Sequence, residues 1–437
     1  MGNMQLKEIV SIQAASINPM DAPDKLFHLY SLPSFDENQK REEVYGHQIQ
    51  SNKSIVPDKC ILFNKLNVRF QRIWLIDNDD EDKICSTEFL PLIVDETKVD
   101  FYYCYFLLHS PGITNYLTGQ NTNTSGSHKR IDPDDFLSIE VQLPTLPEQK
   151  RIGKFLYDIE KKITVNRQIN DYLEAMALQL YDYWFVQFDF PDEKGNPYKS
   201  SGGKMVWSDK LKKEIPEKWT VLPLSHLSEI INGATPSTET PNNYGGNIVW
   251  ITPKDLSNQK SKFTYFGERN ITQQGYDSCS TTLVGINTIL LSSRAPIGLL
   301  SIAKCALCTN QGFKSIEPHD KDNTPYLYYY IKEHLPQIEQ LGSGTTFKEV
   351  SRGDIEGFPV MVPQEKVLSA WNKLIKEVFE KQYQLYTEVV NFSKMRGELL
   401  PMLMNGQASV KPLNNHLAEI WCLSIMVISR SFLIGRL

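Results

Sequence analysis

Two turns in this sequence bring hydroxyls, close backbone N–H groups and cations together. Ser125, Gly126 and Ser127 precede Lys129 and Arg130, and Ser343, Gly344, Thr345 and Thr346 precede Lys348. Such a turn offers donors to phosphate oxygens, with the cations beside it as counter-charges; read without a ligand, it is a tight turn before a strand. A second group suits base edges. Lys65, Asn67 and Arg69 alternate along an expected strand, while Thr235, Ser293, Arg294, Asn310 and Gln311 fall at expected strand ends or loops. Arg pairs with guanine, and Asn or Gln with adenine, through two hydrogen bonds worth roughly 1–3 kcal/mol per base. Each of these residue types also dresses an ordinary solvated surface.

The turns belong to a longer repeat that has to position them. Ser125 to Pro144 reads SGSHKRIDPDDFLSIEVQLP and Ser343 to Pro363 reads SGTTFKEVSRGDIEGFPVMVP, each leading into a heptad-patterned helix. A period of roughly 220 residues is far above that of solenoids or propellers, so the repeated object is a domain with its connecting helix. In the first helix Leu156, Ile159, Ile163, Asn166, Asn170, Leu173, Ala177, Leu180 and Trp184 alternate spacings of three and four, as a coiled-coil seam does. The second repeats the pattern through Val367, Trp371, Leu374, Val378, Lys381, Leu385, Glu388, Phe392, Met395, Leu399 and Met402. Each helix would run on the order of 55 Å, longer than one turn of B-DNA at about 34 Å. Equivalence of the copies calls for an antiparallel pair.

The expected fold is α+β: two similar α+β domains joined by two long helices forming an antiparallel coiled coil. The boundaries are 1–146 for the first domain, 147–187 for the first helix, 188–218 for a turn-rich linker, 219–363 for the second domain, 364–405 for the second helix and 406–437 for an atypical tail. In the second copy, Asn247 to Leu256 and Asn287 to Ile302 are strand-like, and Tyr326 to Leu341 shows one helical face. In the first, Ile61 to Val68 and Gln71 to Ile76 are the matching stretches, followed by the aromatic run Phe101 to Leu108.

Composition narrows the function. The 437 residues carry a formal net charge of -6, which argues against a generic polyanion binder and makes any nucleic-acid face local. Cys305 and Cys308 have no second CxxC or His pair at a metal spacing, so idle thiols are expected. Met1 to Val10 is polar and charged and has no signal-peptide pattern, pointing to a cytoplasmic location. Ile420 to Leu437 is apolar but broken by Arg430, and does not make a convincing membrane span.

The chain resembles the specificity subunit of type I restriction-modification systems. LPTLPEQKRI, from Leu143 to Ile152, looks like that family's entry into its central helix, and YDYWFVQFDFP, from Tyr181 to Pro191, like its exit. Gly233 to Leu256, Asn310 to Ile316, Ser31 to Gln39 and Ile61 to Leu75 are similar to its target-recognition domains, and Glu398 to Val410 closes the second helix as the family does. The resemblance implies a non-catalytic DNA-reading subunit. Each recognition domain would read one half of a bipartite, asymmetric double-stranded site, and the helices would set the gap between the halves. Two methyltransferase subunits would dock on the helices to methylate adenine, with restriction subunits joining to cleave. S-adenosylmethionine, ATP and Mg²⁺ are then expected on the partners, and no cofactor or metal on this chain.

Missing motifs agree with borrowed chemistry. There is no Asn/Asp-Pro-Pro-aromatic tetrapeptide of the adenine methyltransferases, and Gly203-Lys204 lacks the flanking residues of a P-loop. Two rivals stay open. Asp58, Glu81 and Lys83 could imitate a Mg²⁺-holding nuclease cluster, and a coiled-coil bar with end domains would also suit an assembly scaffold.

Overall fold

The computed structural model describes residues 2–37, 39–119, 130–259, 261–294, 296–343 and 348–411. They form two compact units: one takes in the chain up to Thr164 and again from Val390, and the other is Val165–Val389.

The first unit is built on an antiparallel sheet in the order Val10–Ile12, Phe89–Val94, Lys59–Asn64, Ile73–Asp77. Its central strands are β-branched and aromatic, and Cys60, Ile61, Leu62 and Phe63 are all buried, as befits strands covered on both faces. Helix Phe101–Leu108, started by the Asp100 side chain accepting the Tyr103 N–H, adds Phe101, Tyr103 and Phe106 to the same core. A second, mixed sheet runs Ser16–Ile17, Lys53–Ile55, Lys83–Cys85, Leu26–Tyr30, Glu42–Tyr45.

The second unit repeats this frame in register. Its principal sheet runs Ser228–Asn232, Phe313–Pro318, Ile289–Ser292, Leu300–Ala303, with Phe263–Thr264 added at the edge. Leu92 pairs with both Ile12 and Ile61 in the first unit, and Ile316 pairs with both Ile230 and Ile289 in the second. Likewise Phe63 faces Ile73 as Leu291 faces Leu300. The parallel pairing of Tyr30 with Cys85 returns as Ile251 with Thr309. A one-residue slip would turn every core side chain outward, so matched registers across dissimilar sequences mean matched burial patterns. The short ladders agree: Gly2–Gln5 pairs with Glu140–Leu143, and Thr220–Pro223 with Pro359–Val362. Before each closing strand lies a short helix capped by a side-chain oxygen, Asp132 for Pro133–Leu137 and Ser351 for Arg352–Glu356.

The long helices are Leu146–Tyr181 and Glu365–Met404. Within the first unit, Ile152 and Leu156 share a core with Leu403 and Met404, and Arg396 pairs with Glu160. Within the second, Trp371 lies against Trp184 at 5.9 Å between ring centroids, Gln382 Nε2 donates to Glu174 at 3.2 Å, and Asn166 Nδ2 to Glu388 at 2.8 Å. In each unit the start of one helix therefore meets the end of the other, as antiparallel packing requires. Among the described residues no helix is long and apolar enough to cross a membrane.

Four local expectations are corrected. The seam of the second helix is displaced by one residue over its first half. Ile375, Phe379 and Gln382 are buried while Leu374 is 46% exposed and Lys381 faces out, because the domain core wraps Trp371, Ile375 and Phe379. The stretch 188–218 carries more core than a turn-rich linker would: Met205–Ser208 pairs with Lys213–Pro216, and Phe190 and Ile215 join the core of the second unit. Strand Tyr244–Ile251 stops before Pro253, where helix Pro253–Gln259 begins. The face from Tyr326 to Leu341 is two helices, Thr324–Glu333 and Leu335–Gln340, separated at His334.

Candidate nucleic-acid interface

In each unit the central strand ends in a buried polar residue that closes the following loop. Asn64 N–H donates to the Arg72 carbonyl at 3.1 Å and its Oδ1 accepts the Arg72 N–H at 3.1 Å. Ser292 N–H donates to the Leu299 carbonyl at 2.9 Å and its Oγ accepts the Leu299 N–H at 2.8 Å. Asn64 is 1% exposed and Ser292 is fully buried. Buried polar groups persist only when bonded, so these two loops are held at their necks by equivalent devices.

The residue after each closer connects the loop to the arm that enters the closing helix. Lys65 N–H donates to the Glu88 carbonyl and its own carbonyl accepts the Ile131 N–H, both at 2.9 Å. Ser293 N–H donates to the Gly312 carbonyl at 2.8 Å and its carbonyl accepts the Val350 N–H at 3.0 Å. One position on, Leu66 bridges Arg130, and Arg294 bridges Glu349. Arg130 and Glu349 are thus structural equivalents of opposite charge. Each belongs to an ion pair: Arg130 Nε donates to Glu88 at 3.0 Å, and Glu349 accepts from Arg294 Nε at 3.0 Å and from Lys314 Nζ at 3.2 Å. The bond to Glu88 raises Arg130 above its ordinary pKa. Burial pushes Glu349 up, but Lys314 and Arg294 outweigh it and leave the carboxyl below its usual range.

The structure accordingly brings together Lys65 and Arg130 in one unit, and Ser293, Arg294, Ser343 and Lys348 in the other. Ser343 exchanges two backbone hydrogen bonds with Glu349, and Lys348 is exposed beside it. Asn310 accepts the Gly312 N–H on its side chain at 2.9 Å, the part Ser86 plays for Glu88. Thr235 hydrogen-bonds Gln311. That contact needs glycine at 233, where a Cβ would come within 2.1 Å of the Asn310 carbonyl oxygen. Ser125, Gly126, Ser127, Lys129, Gly344, Thr345 and Thr346 lie outside the described residues.

Lys65, Asn67 and Arg69 do not alternate along a strand. The strand stops at Asn64, and all three sit in the loop, where Asn67 takes a left-handed φ of 52° that asparagine tolerates better than most residues. Ser293 also departs from the exposed role expected of it, being fully buried as a loop anchor. The spacing of residue types did not expose Asn64, Ser292, Glu88 or Glu349. Asn64 and Ser292 did carry a signal, a polar residue ending an apolar run.

The nuclease-like cluster is a clasp. Lys83 Nζ, buried, donates to Asp58 at 2.8 Å and to the Asn78 side chain at 3.2 Å, and Glu81 makes neither bond. Among the described residues no group of three His, Cys, Asp or Glu is placed to hold a metal ion. Burial raises the Cys305 thiol and pushes Cys308 up to about 11, so both stay protonated at neutral pH.

Comparison with known proteins places this architecture. The family described as Type I restriction modification DNA specificity domain matches twice, over residues 4–175 and 216–388. The Type I restriction enzyme MjaIX specificity subunit of Methanocaldococcus jannaschii is 38% identical over 197 residues, 41% of this chain and 46% of that protein. The chain thus spans less than half the length of that relative. The Type I restriction enzyme HindI specificity subunit of Haemophilus influenzae is 25% identical over 404 residues, 81% of this chain and 88% of that one. The crystal structure of the Type-I restriction-modification system S subunit from M. genitalium shares the fold, with a TM-score of 0.59 and 12% identity over 94% of this chain and 96% of that one.

Proposed function

Since the chain belongs to the type I restriction-modification DNA specificity family and is a DNA sequence-recognition subunit of such a system, we propose that its two units read the two halves of a bipartite, asymmetric double-stranded site. The carrying observation is the pairing of one register-matched frame with two unlike loop sets. Equivalent frames present their loops in the same way, while Arg130 against Glu349 and Leu66 against Arg294 present different chemistry to the bases.

The chain contributes recognition and no catalysis; S-adenosylmethionine, ATP and Mg²⁺ belong to the partners, and the assembly works in the cytoplasm. Methyltransferase subunits dock on the long helices, and restriction subunits join that complex. The first helix supports this with an outward row at spacings of four, three and four: Val165, Ile169, Tyr172 and Met176, of which Tyr172 is 76% exposed. Aromatic and Met side chains at such spacing are typical anchors for a partner helix. The length of helix between the recognition frames sets the gap between half-sites.

Mapping methylated adenines in cells where this chain is the only variable tests the reading. Exchange of residues 1–144 for those of another family member should alter one half-site and leave the other. A change in both halves would break the modular assignment. Affinity for the mapped site should be weak and salt-sensitive for the chain alone and tight with methyltransferase subunits, whereas equal affinity would contradict the docking. Tyr172→Asp should release those subunits without disturbing the fold.

A further inference from the structure

The loop of the first unit is one residue longer than its counterpart, 65–71 between Asn64 and Arg72 against 293–298 between Ser292 and Leu299. Each loop sends one apolar residue to its core, Val68 in the first unit and Ile297 in the second, but the first also carries a further one that stays out. That further residue is Phe70, 62% exposed, and the second loop has no aromatic side chain to match it. Isolated exposed apolar side chains are common on protein surfaces and mean little by themselves. Phe70 is set apart by how firmly it is held out.

Its loop is fixed from several directions. Phe70 N–H donates to the Asn67 carbonyl at 3.1 Å, closing a turn around the left-handed Asn67. Gln71 hydrogen-bonds Thr114 and donates to the His109 carbonyl at 3.3 Å, fastening the loop to the junction of helices Phe101–Leu108 and Pro111–Gly119. Arg72 makes a two-pronged ion pair with Asp36, both bonds at 2.7 Å, and its guanidinium lies 5.7 Å from the Phe70 ring centre. These ties fix the backbone on both sides of the ring and so hold Phe70 at the loop's outer edge. Exposed Arg69 immediately precedes the ring, and Lys65 starts the same loop.

A rigid apolar projection between cations matches the chemistry of a base step, whose stacked faces are apolar and whose flanks are phosphates. We infer that Phe70 is a wedge: on the bound duplex its ring enters one base step of the half-site read by the first unit, unstacks it and kinks the DNA, while the second unit reads its half without such a step. This rests on the DNA-recognition reading above.

The test uses the full chain assembled with its methyltransferase subunits on a duplex carrying the mapped site, with fluorophores at both ends to report bending. Wild type should kink the duplex. Phe70→Ala should reduce the kink and weaken binding on the order of ten-fold, with the salt dependence unchanged because no phosphate contact is lost. Phe70→Leu, still an apolar wedge, should keep most of the kink. Arg69→Ala should do the reverse, lowering the salt slope while the kink persists. Specific binding by Phe70→Ala with unaltered affinity and bend would overturn the wedge and spare the DNA-recognition reading. Loss of a methyltransferase subunit from the Phe70→Ala complex would also overturn it, by making the ring a protein contact. Failure of the wild-type complex to discriminate the mapped site would defeat both readings.

Discussion

The two units share every strand register compared above, yet at one equivalent position the first carries Arg130 and the second Glu349. In the first, the acid that answers the arginine comes from the turn before a central strand, at Glu88; in the second, the arginine comes from the loop, at Arg294. The difference shows which parts of the frame are constrained. Buried apolar pairs and the loop closers Asn64 and Ser292 hold the geometry, and a reversed residue there would be costly. The arginines at the loop mouths are well solvated, Arg130 at 64% and Arg294 at 47% side-chain exposure, where ion pairs contribute only about 0–1 kcal/mol, so the arginine can change sides while the frame stands. Specificity can therefore vary without refolding the reader.

Breaking one frame while sparing the other gives the largest effect. Trp371 is fully buried in the second unit, in contact with Tyr181, Trp184 and Phe185. Trp371→Ala should cost about 3–5 kcal/mol. Hydrogen exchange followed by mass spectrometry should show protection lost within Val165–Val389 and retained in the strands of the first unit. Equal loss in both would mean that the units unfold as one.

Acid should separate the units next. His109 and His334 are counterparts, each with Nδ1 within 2.9 Å of the carbonyl oxygen four residues earlier. Burial brings His109 down to about 4, against the opposing effects of the Tyr105 carbonyl and Glu160. A folded pKa below the unfolded value near 6.5 means that the neutral ring is favoured in the fold. Its stabilisation is complete above about pH 6.5 and is lost as pH falls towards 4, about 3 kcal/mol in all. In the second unit, burial alone would push Glu174 up, but Lys262 and Lys332 hold it at about 2. Its contribution is therefore present above about pH 4.5 and lost between there and 2. Unit-resolved exchange should show the first unit weakening from pH 6 downward and the second holding to near 4, and His109→Gln should remove the early phase.

The loop closers come third. Asn64→Ala and Ser292→Ala each leave a neighbouring backbone N–H without its partner and should cost about 1–3 kcal/mol. Asn64→Ser tests the equivalence, since a hydroxyl already does this work in the second unit; thermal unfolding should place it between wild type and Asn64→Ala.

Much of this arrangement was legible because it is periodic or repeated. Leu156, Ile163, Asn166 and Ala177 fall inward as their three-four spacing requires, and the duplicated stretch locates the caps Asp132 and Ser351 at matching places. The second helix misled after Trp371, because the 3.6-residue turn drifts from a strict heptad and the domain core selects Ile375 over Leu374. The left-handed turn at Asn67 leaves no periodic trace, so by type and spacing alone Lys65, Asn67 and Arg69 read as an alternating strand. Pairings such as Arg130 with Glu88, 42 residues apart, depend on tertiary register and have no local signature. The candidate site was thus readable as residue types near the right loops, and its internal contacts were not.

The smallest effects lie at the loop mouths, and they distinguish the two charge arrangements. Glu88→Gln removes one side of a pair whose arginine side chain is 64% exposed, so water replaces the carboxylate and the loss of stability should be about 0–1 kcal/mol. Glu349→Gln is a different change. It withdraws the carboxylate from Arg294 and also from Lys314, whose side chain is only 8% exposed, and a buried ammonium that loses its counter-charge should cost more, about 1–3 kcal/mol. Chemical denaturation of the two variants should therefore give unequal losses although the substitutions are chemically identical. If both losses fall within error of zero, Lys314 is solvated and the charge exchange has no structural side. If the order holds, the first unit's pair is adjustable at little cost, while the second unit's acid also helps hold its own sheet.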